Sequence, residues 1–70
     1  MSASERLVMA IINCRQAGIT SVGTTADDNR AHAGTINLLI VAGCLSEDDR
    51  PRAVAYAALG QALRDVEAEL

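Results

Sequence analysis

The sequence predicts a small α/β domain over residues 1–70, with the element order helix–strand–strand–helix. The apolar run from Leu38 to Ala42 is short and follows a polar Gly-Thr-Ile-Asn segment, which favours a buried strand from about Thr35 to Ala42. Residues 19–25 carry several β-branched side chains and predict a second short strand. Segments with helical spacing stand at both ends of the chain, and we expect the two strands between them to pair as an antiparallel hairpin.

The first predicted helix covers residues 2–17. Ser2 and Glu5 have the spacing of a capping box, and Gly18 is placed to end the helix in the left-handed conformation. The apolar stripe of this helix consists of Leu7, Val8, Ile11 and Ile12. Because residues 7–12 are apolar without interruption, a strand that turns into a helix at Asn13 is the alternative.

The last predicted helix follows Ser46, which is a good N-cap residue, and three acidic residues that suit the positive end of the helix dipole. Pro51 is compatible only with the start of the helix, so the regular part is expected from about Asp48. The apolar face is expected to contain Val54, Ala58, Leu59, Ala62, Leu63, Val66 and Leu70. Several alanines along this helix would let a neighbouring element approach closely.

The polar stretch of residues 26–33 is predicted to be the loop between the two strands, and loops often carry functional residues. Asp28, Arg30 and His32 are candidate ligand-binding residues here, since a carboxylate, a guanidinium and an imidazole can contact hydroxyls and anions. The alternative is an ordinary solvated hairpin loop.

A second candidate site lies where this loop meets the strand. Gly34 would let backbone N–H groups face a ligand, and Thr35 and Asn37 would point to the same side of a strand. Together they would bind an amide or a phosphate oxygen, and a capped strand start is the alternative. Asn13 is a further candidate, because a polar side chain within an apolar stretch needs partners if it is buried; an exposed position on one side of a helix is the alternative.

Size and charge restrict the partners. A chain of 70 residues buries only about 60% of its unfolded surface, and a single core of this size supplies roughly 3–5 kcal/mol, so we expect a homo-oligomer. A net charge of −3 argues against nucleic acid. Six arginines and no lysine suit bidentate contacts to anions, but we favour a bias in base composition as their explanation. We expect a cytoplasmic protein that does not enter a membrane, because there is neither a signal pattern nor a long apolar run.

The remaining residues with chemical potential favour structural roles. Cys14 and Cys44 are expected to be small, buried apolar side chains, because neither has the cationic surroundings of a reactive thiolate or a partner at metal-binding spacing. We therefore expect no metal site and no cofactor. Tyr56, the only aromatic residue, is expected in the core or at an interface, with a stacking platform for a ring as the alternative.

Four segments taken in order resemble the adenosylcobinamide amidohydrolase family: Asn13 to Gly18, Gly34 to Val41, Leu45-Ser46 and Arg52 to Val54. Members of that family hydrolyse the amide that joins the aminopropanol arm to a corrinoid during cobamide salvage. Their longer chains also carry a Thr-Glu-Ala-Lys run in the helix, which residues 55–61 do not contain. The resemblance implies ligand contacts, without catalytic residues, at the positions of Asn13, Thr35 and Asn37.

These observations predict a non-catalytic, homo-oligomeric protein that binds a small molecule, either a corrinoid or a nucleotide. Its site would combine Gly34 to Asn37 with Asn13 and the residue 27–32 loop, and two subunits would share it. One alternative is a minimal amidohydrolase that acts on a corrinoid amide. The other is a small phage or mobile-element protein that sequesters a nucleotide signal or blocks a host protein.

Overall fold

The computed structural model describes all 70 residues and contains three helices and no strand. Helix α1 spans Ala3–Gln16, α2 spans Ala26–Val41 and α3 spans Arg50–Glu67, with one 3-10 turn, Glu47–Asp49, directly before α3. The protein is therefore a small all-helical domain. The predicted α/β fold class is wrong, and so are the hairpin and the sheet that was expected to extend between subunits.

The N-terminal helix is confirmed, and residues 7–12 are helical throughout. The hydroxyl of Ser2 accepts the Glu5 N–H at 3.1 Å, and the Glu5 carboxylate accepts the Ser2 N–H at 3.2 Å, so the predicted capping box is formed. Gly18 has a φ of +84°, and the next N–H, from Ile19, donates to the carbonyl of Cys14 at 2.9 Å. This closing bond is typical of a glycine-terminated helix.

Residues 26–33 were predicted to be a loop and residues 35–42 a strand, and both predictions are wrong because α2 runs through both segments. Thr25 begins the helix, since its hydroxyl accepts the Asp28 N–H at 3.1 Å. Gly43, with a φ of +80°, ends it, and the N–H of Cys44 donates to the carbonyl of Leu39 at 2.8 Å. Because α2 is capped at Thr25 and ends at Gly43, the apolar run from Leu38 onward lies in the last turns of a helix.

The apolar run at the end of α2 is largely solvent-exposed. Leu38 is 71% exposed and Val41 is 83% exposed, while Ile36 is buried and Ile40 is half-buried. Only one side of a helix can face its neighbours, so consecutive apolar residues cannot all be buried in a two-helix contact. The expectation of a strand buried on both faces fails for this reason.

The strand predicted over residues 19–25 is also absent, and this segment is an irregular connection between α1 and α2. The side chain of Asn29 fixes its second half. The amide oxygen accepts the Gly23 N–H at 3.0 Å, and the amide nitrogen donates to the carbonyls of Gly23 and Thr25 at 2.9 and 2.8 Å. The backbone groups of this segment thus pair with a side chain where a sheet would have supplied a second strand.

Helix α3 confirms part of the prediction for the last segment. The hydroxyl of Ser46 accepts the Asp48 N–H at 3.1 Å and caps the 3-10 turn, and Pro51 lies in the first turn of α3. Leu59 is buried as expected, but Val54 is 63% exposed and Leu70 is fully exposed at the chain end. Helix α3 therefore does not bury the single predicted face, and both Val54 and Ala58 are exposed.

Helix α3 lies in the middle and packs against both other helices, whereas α1 and α2 do not contact each other. Ion pairs and hydrogen bonds show that α1 and α2 both run antiparallel to α3. On one side Arg6 of α1 lies 3.9 Å from Asp65. On the other, Asp27 at the start of α2 accepts a 3.1 Å bond from Arg64, near the end of α3.

The three helices lie side by side in one layer with α3 in the middle, and the chain as a whole has extents of 40 × 21 × 18 Å. The α1–α2 connection covers one face of α3, where the hydroxyl of Tyr56 donates to the carbonyl of Ser21 at 2.9 Å. The other face of α3 is open, and Val54, Ala58 and Gln61 are exposed along it. None of the helices combines the length and the apolar character needed to cross a bilayer.

The core is small and consists mostly of alanine. The large aliphatic side chains that are buried are Ile19, Ile36 and Leu59, and the buried alanines are Ala3, Ala10, Ala26, Ala33, Ala53, Ala55 and Ala62. Eleven large apolar side chains are exposed, including most of those on α1. Because alanine buries little area, the helices approach closely without enclosing much apolar surface.

Candidate functional site

Six of the predicted ligand-binding residues lie on α2, but on two separate rows of the helix. At roughly 100° per residue, each row repeats at i, i+4 and i+7, and the rows are about half a turn apart. One row contains Asp28, His32 and Thr35, and the other contains Arg30, Gly34 and Asn37. Thr35 and Asn37 would share one side of a strand, whereas in α2 they point to different sides. The structure therefore does not bring the six residues into one site.

The first row faces the covered side of the layer. The ring of His32 stacks on the ring of Tyr56, with centroids 5.0 Å apart and an angle of 26° between the planes. Tyr56 in turn bonds to the α1–α2 connection through Ser21. Tyr56 therefore stacks on a ring, as the sequence allowed, but the ring is that of a histidine in the same chain. This contact packs α2 against α3.

The second row faces the open side, near the start of α3. Arg50 donates two hydrogen bonds to Glu47, at 2.6 and 3.1 Å, and a longer one, at 3.4 Å, to Asn37. The bonds from Arg50 hold the pKa of the Glu47 carboxyl below its usual range, and the same bonds raise the pKa of Arg50. Gly34 has no atom near the position of a Cβ and lies open to solvent.

Asn13 lies apart from the other predicted residues, in a groove between α1 and α3. Two adjoining cavities of about 280 and 380 Å³ share Asn13 and Ala58 as lining residues. Met9 lines one of them and Val54 the other, so the groove has apolar walls. The side chain of Asn13 is exposed and makes no hydrogen bond within the chain, which leaves an amide free to contact a ligand.

A polar cleft of about 290 Å³ lies at the opposite end of the layer, where α2 begins and α3 ends. Asp27, Arg64 and Glu67 line it. Arg64 already donates to Asp27 in this cleft, and both side chains are strongly exposed. We therefore interpret the cleft as the site of a surface ion pair, which contributes little to stability.

The two cysteines have different surroundings. Cys14 is buried, and its thiol donates to the carbonyl of Ala55 at 3.5 Å. Burial raises the pKa of the Cys14 thiol, so this cysteine is an unreactive core residue. Cys44 is exposed just beyond the end of α2, contrary to the expectation that both cysteines are buried. No group of three histidine, cysteine or acidic side chains is arranged to hold a metal ion.

The fully buried residue Asn29 was missed by the sequence analysis, although the pattern contains a signal for it. Ala26, Asn29, Ala33, Ile36 and Ile40 recur at three- and four-residue spacing, as on the inner face of a helix. Thr25 is an N-cap residue with two acidic residues in the turn that follows, which is the pattern by which Ser46 and its acidic run predict a helix start. These two signals together would have predicted α2.

Two exposed apolar surfaces were not expected from the sequence. The outer surface of α1, which faces away from α3, carries Val8 and Ile12, with the exposed Met9 and Ile11 on its two flanks. The outer surface of α2 carries Leu38 and Val41, next to Gly34 and Ala31. They lie on the two opposite edges of the layer, and both are free of charge along their middle turns.

No protein-family model, curated protein or solved structure matches this chain significantly. The resemblance to the adenosylcobinamide amidohydrolase family therefore stays a prediction from its motifs. The strongest of them, Gly34 to Asn37, lies within α2, where the resemblance led us to expect the start of a strand.

Proposed function

We propose that this chain is a self-associating helical protein that covers its outer apolar surfaces with further copies of itself. The observation that carries the proposal is the contrast between a core made mostly of alanine and eleven exposed large apolar side chains. Complete burial of one such side chain contributes about 1.5–3 kcal/mol. The free energy from burying two or three of these side chains at an interface would equal the roughly 3–5 kcal/mol of stability expected from the core of a chain this small.

The placement of the apolar residues supports association over random exposure. Single exposed apolar residues are normal on a protein surface, but contiguous patches usually mark an interaction site. Val8, Ile12 and their neighbours are contiguous on α1, and Leu38 and Val41 are contiguous on α2. Since these surfaces lie at the edges of the layer, a second copy can cover either of them without disturbing the packing on α3.

Sedimentation velocity from micromolar to millimolar concentration tests the proposal. We expect the average mass to rise with concentration, and we expect Ile12→Ser and Leu38→Ser together to shift the rise to higher concentration. Val22→Ser is the matched control, because Val22 is 43% exposed but lies in the α1–α2 connection. A wild-type chain that remains monomeric over the whole range would refute self-association.

A second candidate function, small-molecule binding, is supported by the groove that contains Asn13. Its two cavities lie near the lower end of the roughly 300–1,000 Å³ typical of small-molecule sites, and its free amide adjoins apolar walls. Native mass spectrometry of protein purified gently from cell extract would reveal a stoichiometric additional mass, and that mass would separate a corrinoid from a nucleotide. Asn13→Ala should lose the additional mass and Asn37→Ala should keep it; a bare chain in every preparation would refute this candidate.

A further inference from the structure

The outer surface of α1 has a charge at each end and apolar residues between them. Glu5 stands in the first turn, Arg15 stands in the last turn, and Val8 and Ile12 lie on the same side of the helix between them. These four residues occupy positions i, i+3, i+7 and i+10, which form one stripe along a helix. Val8 is 56% exposed and Ile12 is 40% exposed, so the stripe faces solvent in the isolated chain.

The order of residues in this stripe is self-complementary when a second copy is turned end to end. In an antiparallel pair of α1 helices whose two-fold axis passes at the level of Ala10, residue 5 meets residue 15 of the other copy and residue 8 meets residue 12. An acid thus meets a base at each end, and apolar side chains meet apolar side chains in the middle. An interface about a two-fold axis requires this kind of match, because each copy uses the same surface.

We propose that two copies of this chain pair through their α1 helices in antiparallel orientation, with Glu5 of each copy facing Arg15 of the other. The inference rests on the proposed self-association and names the surface that carries it. Arg15 and Arg30 form no ion pair within the chain, whereas the other four arginines each have an acidic partner, and of these two only Arg15 lies on α1. Glu5 uses only one carboxylate oxygen in the capping box, so the other remains available.

The charges disfavour the other ways of covering α1. Parallel pairing would place Glu5 against Glu5 and Arg15 against Arg15, and like charges across an interface oppose association. Asp27 and Arg30 flank the outer surface of α2, but Asp27 is already paired with Arg64, so this surface offers the Arg30 of a second copy no free acid. The antiparallel α1 pair is the arrangement that gives Arg15 an acidic partner.

The size of this surface sets the expected strength of the dimer. Helix α1 has 14 residues and is about 21 Å long, so one of its sides offers less than the ~800 Å² per partner of a standard interface. We therefore expect a dimer that forms and dissociates with concentration. Such an equilibrium is suited to titration, because each change at the interface alters a measurable dissociation constant.

A charge-swap experiment in sedimentation equilibrium tests the pairing. Arg15→Glu and Glu5→Arg should each raise the dimer dissociation constant about tenfold, because each places like charges at both ends of the interface. An equimolar mixture of the two variants should restore dimerisation, since every Glu5–Arg15 position then carries opposite charges. Arg64→Glu is the matched control for net charge and should leave the dissociation constant unchanged, because Arg64 lies on α3.

A helix that loses its cap could imitate the effect at Glu5, and Glu5→Gln guards against this. Glutamine can keep the capping box while removing the charge, so this variant should weaken the dimer about threefold and leave the circular dichroism spectrum unchanged. If Arg15→Glu weakens association no more than Arg64→Glu does, or if the mixture fails to recover, the α1 pairing is refuted while self-association stands. A wild-type chain that stays monomeric refutes both.

Discussion

Asn29 is the polar side chain on which the connection between α1 and α2 depends, and its replacement by alanine should strongly destabilise the fold. The residue is fully buried, and its side chain makes three hydrogen bonds, all of them to backbone groups of Gly23 and Thr25. Asn29→Ala removes three hydrogen bonds and leaves the N–H and the carbonyl of Gly23 without their partner, while the Thr25 carbonyl keeps the backbone N–H of residue 29 at 3.3 Å. It also leaves a small void at the start of α2.

The size of the effect follows from these three bonds. Each hydrogen bond contributes about 0.5–1.5 kcal/mol net, and buried groups left unpaired cost more, so we expect Asn29→Ala to lower the free energy of unfolding by roughly 2–4 kcal/mol. That is most of the ~3–5 kcal/mol available to a chain of this size. With an m-value of about 1 kcal/mol/M in urea, the midpoint should fall by about 2 M or more.

Asn37→Ala is the matched control, because it changes the same residue type on the same helix. Asn37 is exposed and accepts only one long hydrogen bond, at 3.4 Å from Arg50, so its loss should cost less than about 0.5 kcal/mol. Urea unfolding monitored by far-ultraviolet circular dichroism, at one fixed protein concentration, measures both variants. If Asn29→Ala unfolds within about 0.5 kcal/mol of the wild type, the assigned role of Asn29 is wrong.

The same site predicts a pH dependence for Asn29→Asp. A carboxylate there would place an oxygen 2.8–2.9 Å from two carbonyl oxygens, while its protonated form can donate to one of them. Burial and these carbonyls should raise the pKa of the new carboxyl in the folded state above its unfolded value. The variant should therefore be most stable at low pH and lose stability as the pH rises through the raised pKa. A urea midpoint that does not fall between acidic and neutral pH, relative to wild type, would contradict this.

Three further predictions concern packing, thiol reactivity and capping. Gly60→Ala should lower the free energy of unfolding by about 1–3 kcal/mol, because the new Cβ would lie 2.8–3.0 Å from atoms of α2. Gly34 has open space around it, so Gly34→Ala should raise the free energy of unfolding by about 0.5–1 kcal/mol. Equal effects of the two changes in urea unfolding would contradict the close approach of α2 and α3. A colorimetric thiol reagent should label Cys44 at once and Cys14 only after unfolding, and simultaneous labelling would show that α1 is not packed as described. Hydrogen bonds from the N-cap serine hold the pKa of Glu5 below its usual range of about 4.5. The stability that the capping box contributes should therefore be present above pH 4.5 and be lost as the pH falls through the lowered pKa. Over that pH range, the helicity of Glu5→Gln should change less than the helicity of the wild type.

The sequence identified those parts of the fold that local chemistry determines. The capping box at Ser2 and Glu5 and the left-handed Gly18 are as predicted, because each depends on residues within one turn of a helix. Ser46 is a cap as predicted, but of the 3-10 turn, and α3 begins at Arg50, two residues later than expected. The candidate site was predicted less well. Its residues on α2 were placed together on the assumption of a loop and a strand, and the helix separates them into two rows.

The sequence by itself also established a short, acidic chain with alanine-rich helices, but not which apolar residues are buried. Five apolar residues in succession at Leu38–Ala42 are compatible with a strand or a helix, and no local rule separates the two. Only the tertiary structure placed Leu38 and Val41 at the surface, because α2 has one neighbouring helix and can bury only one side against it. The same physical limit leaves the outer surface of α1 uncovered, since a single layer of three helices has no second layer to bury its edges.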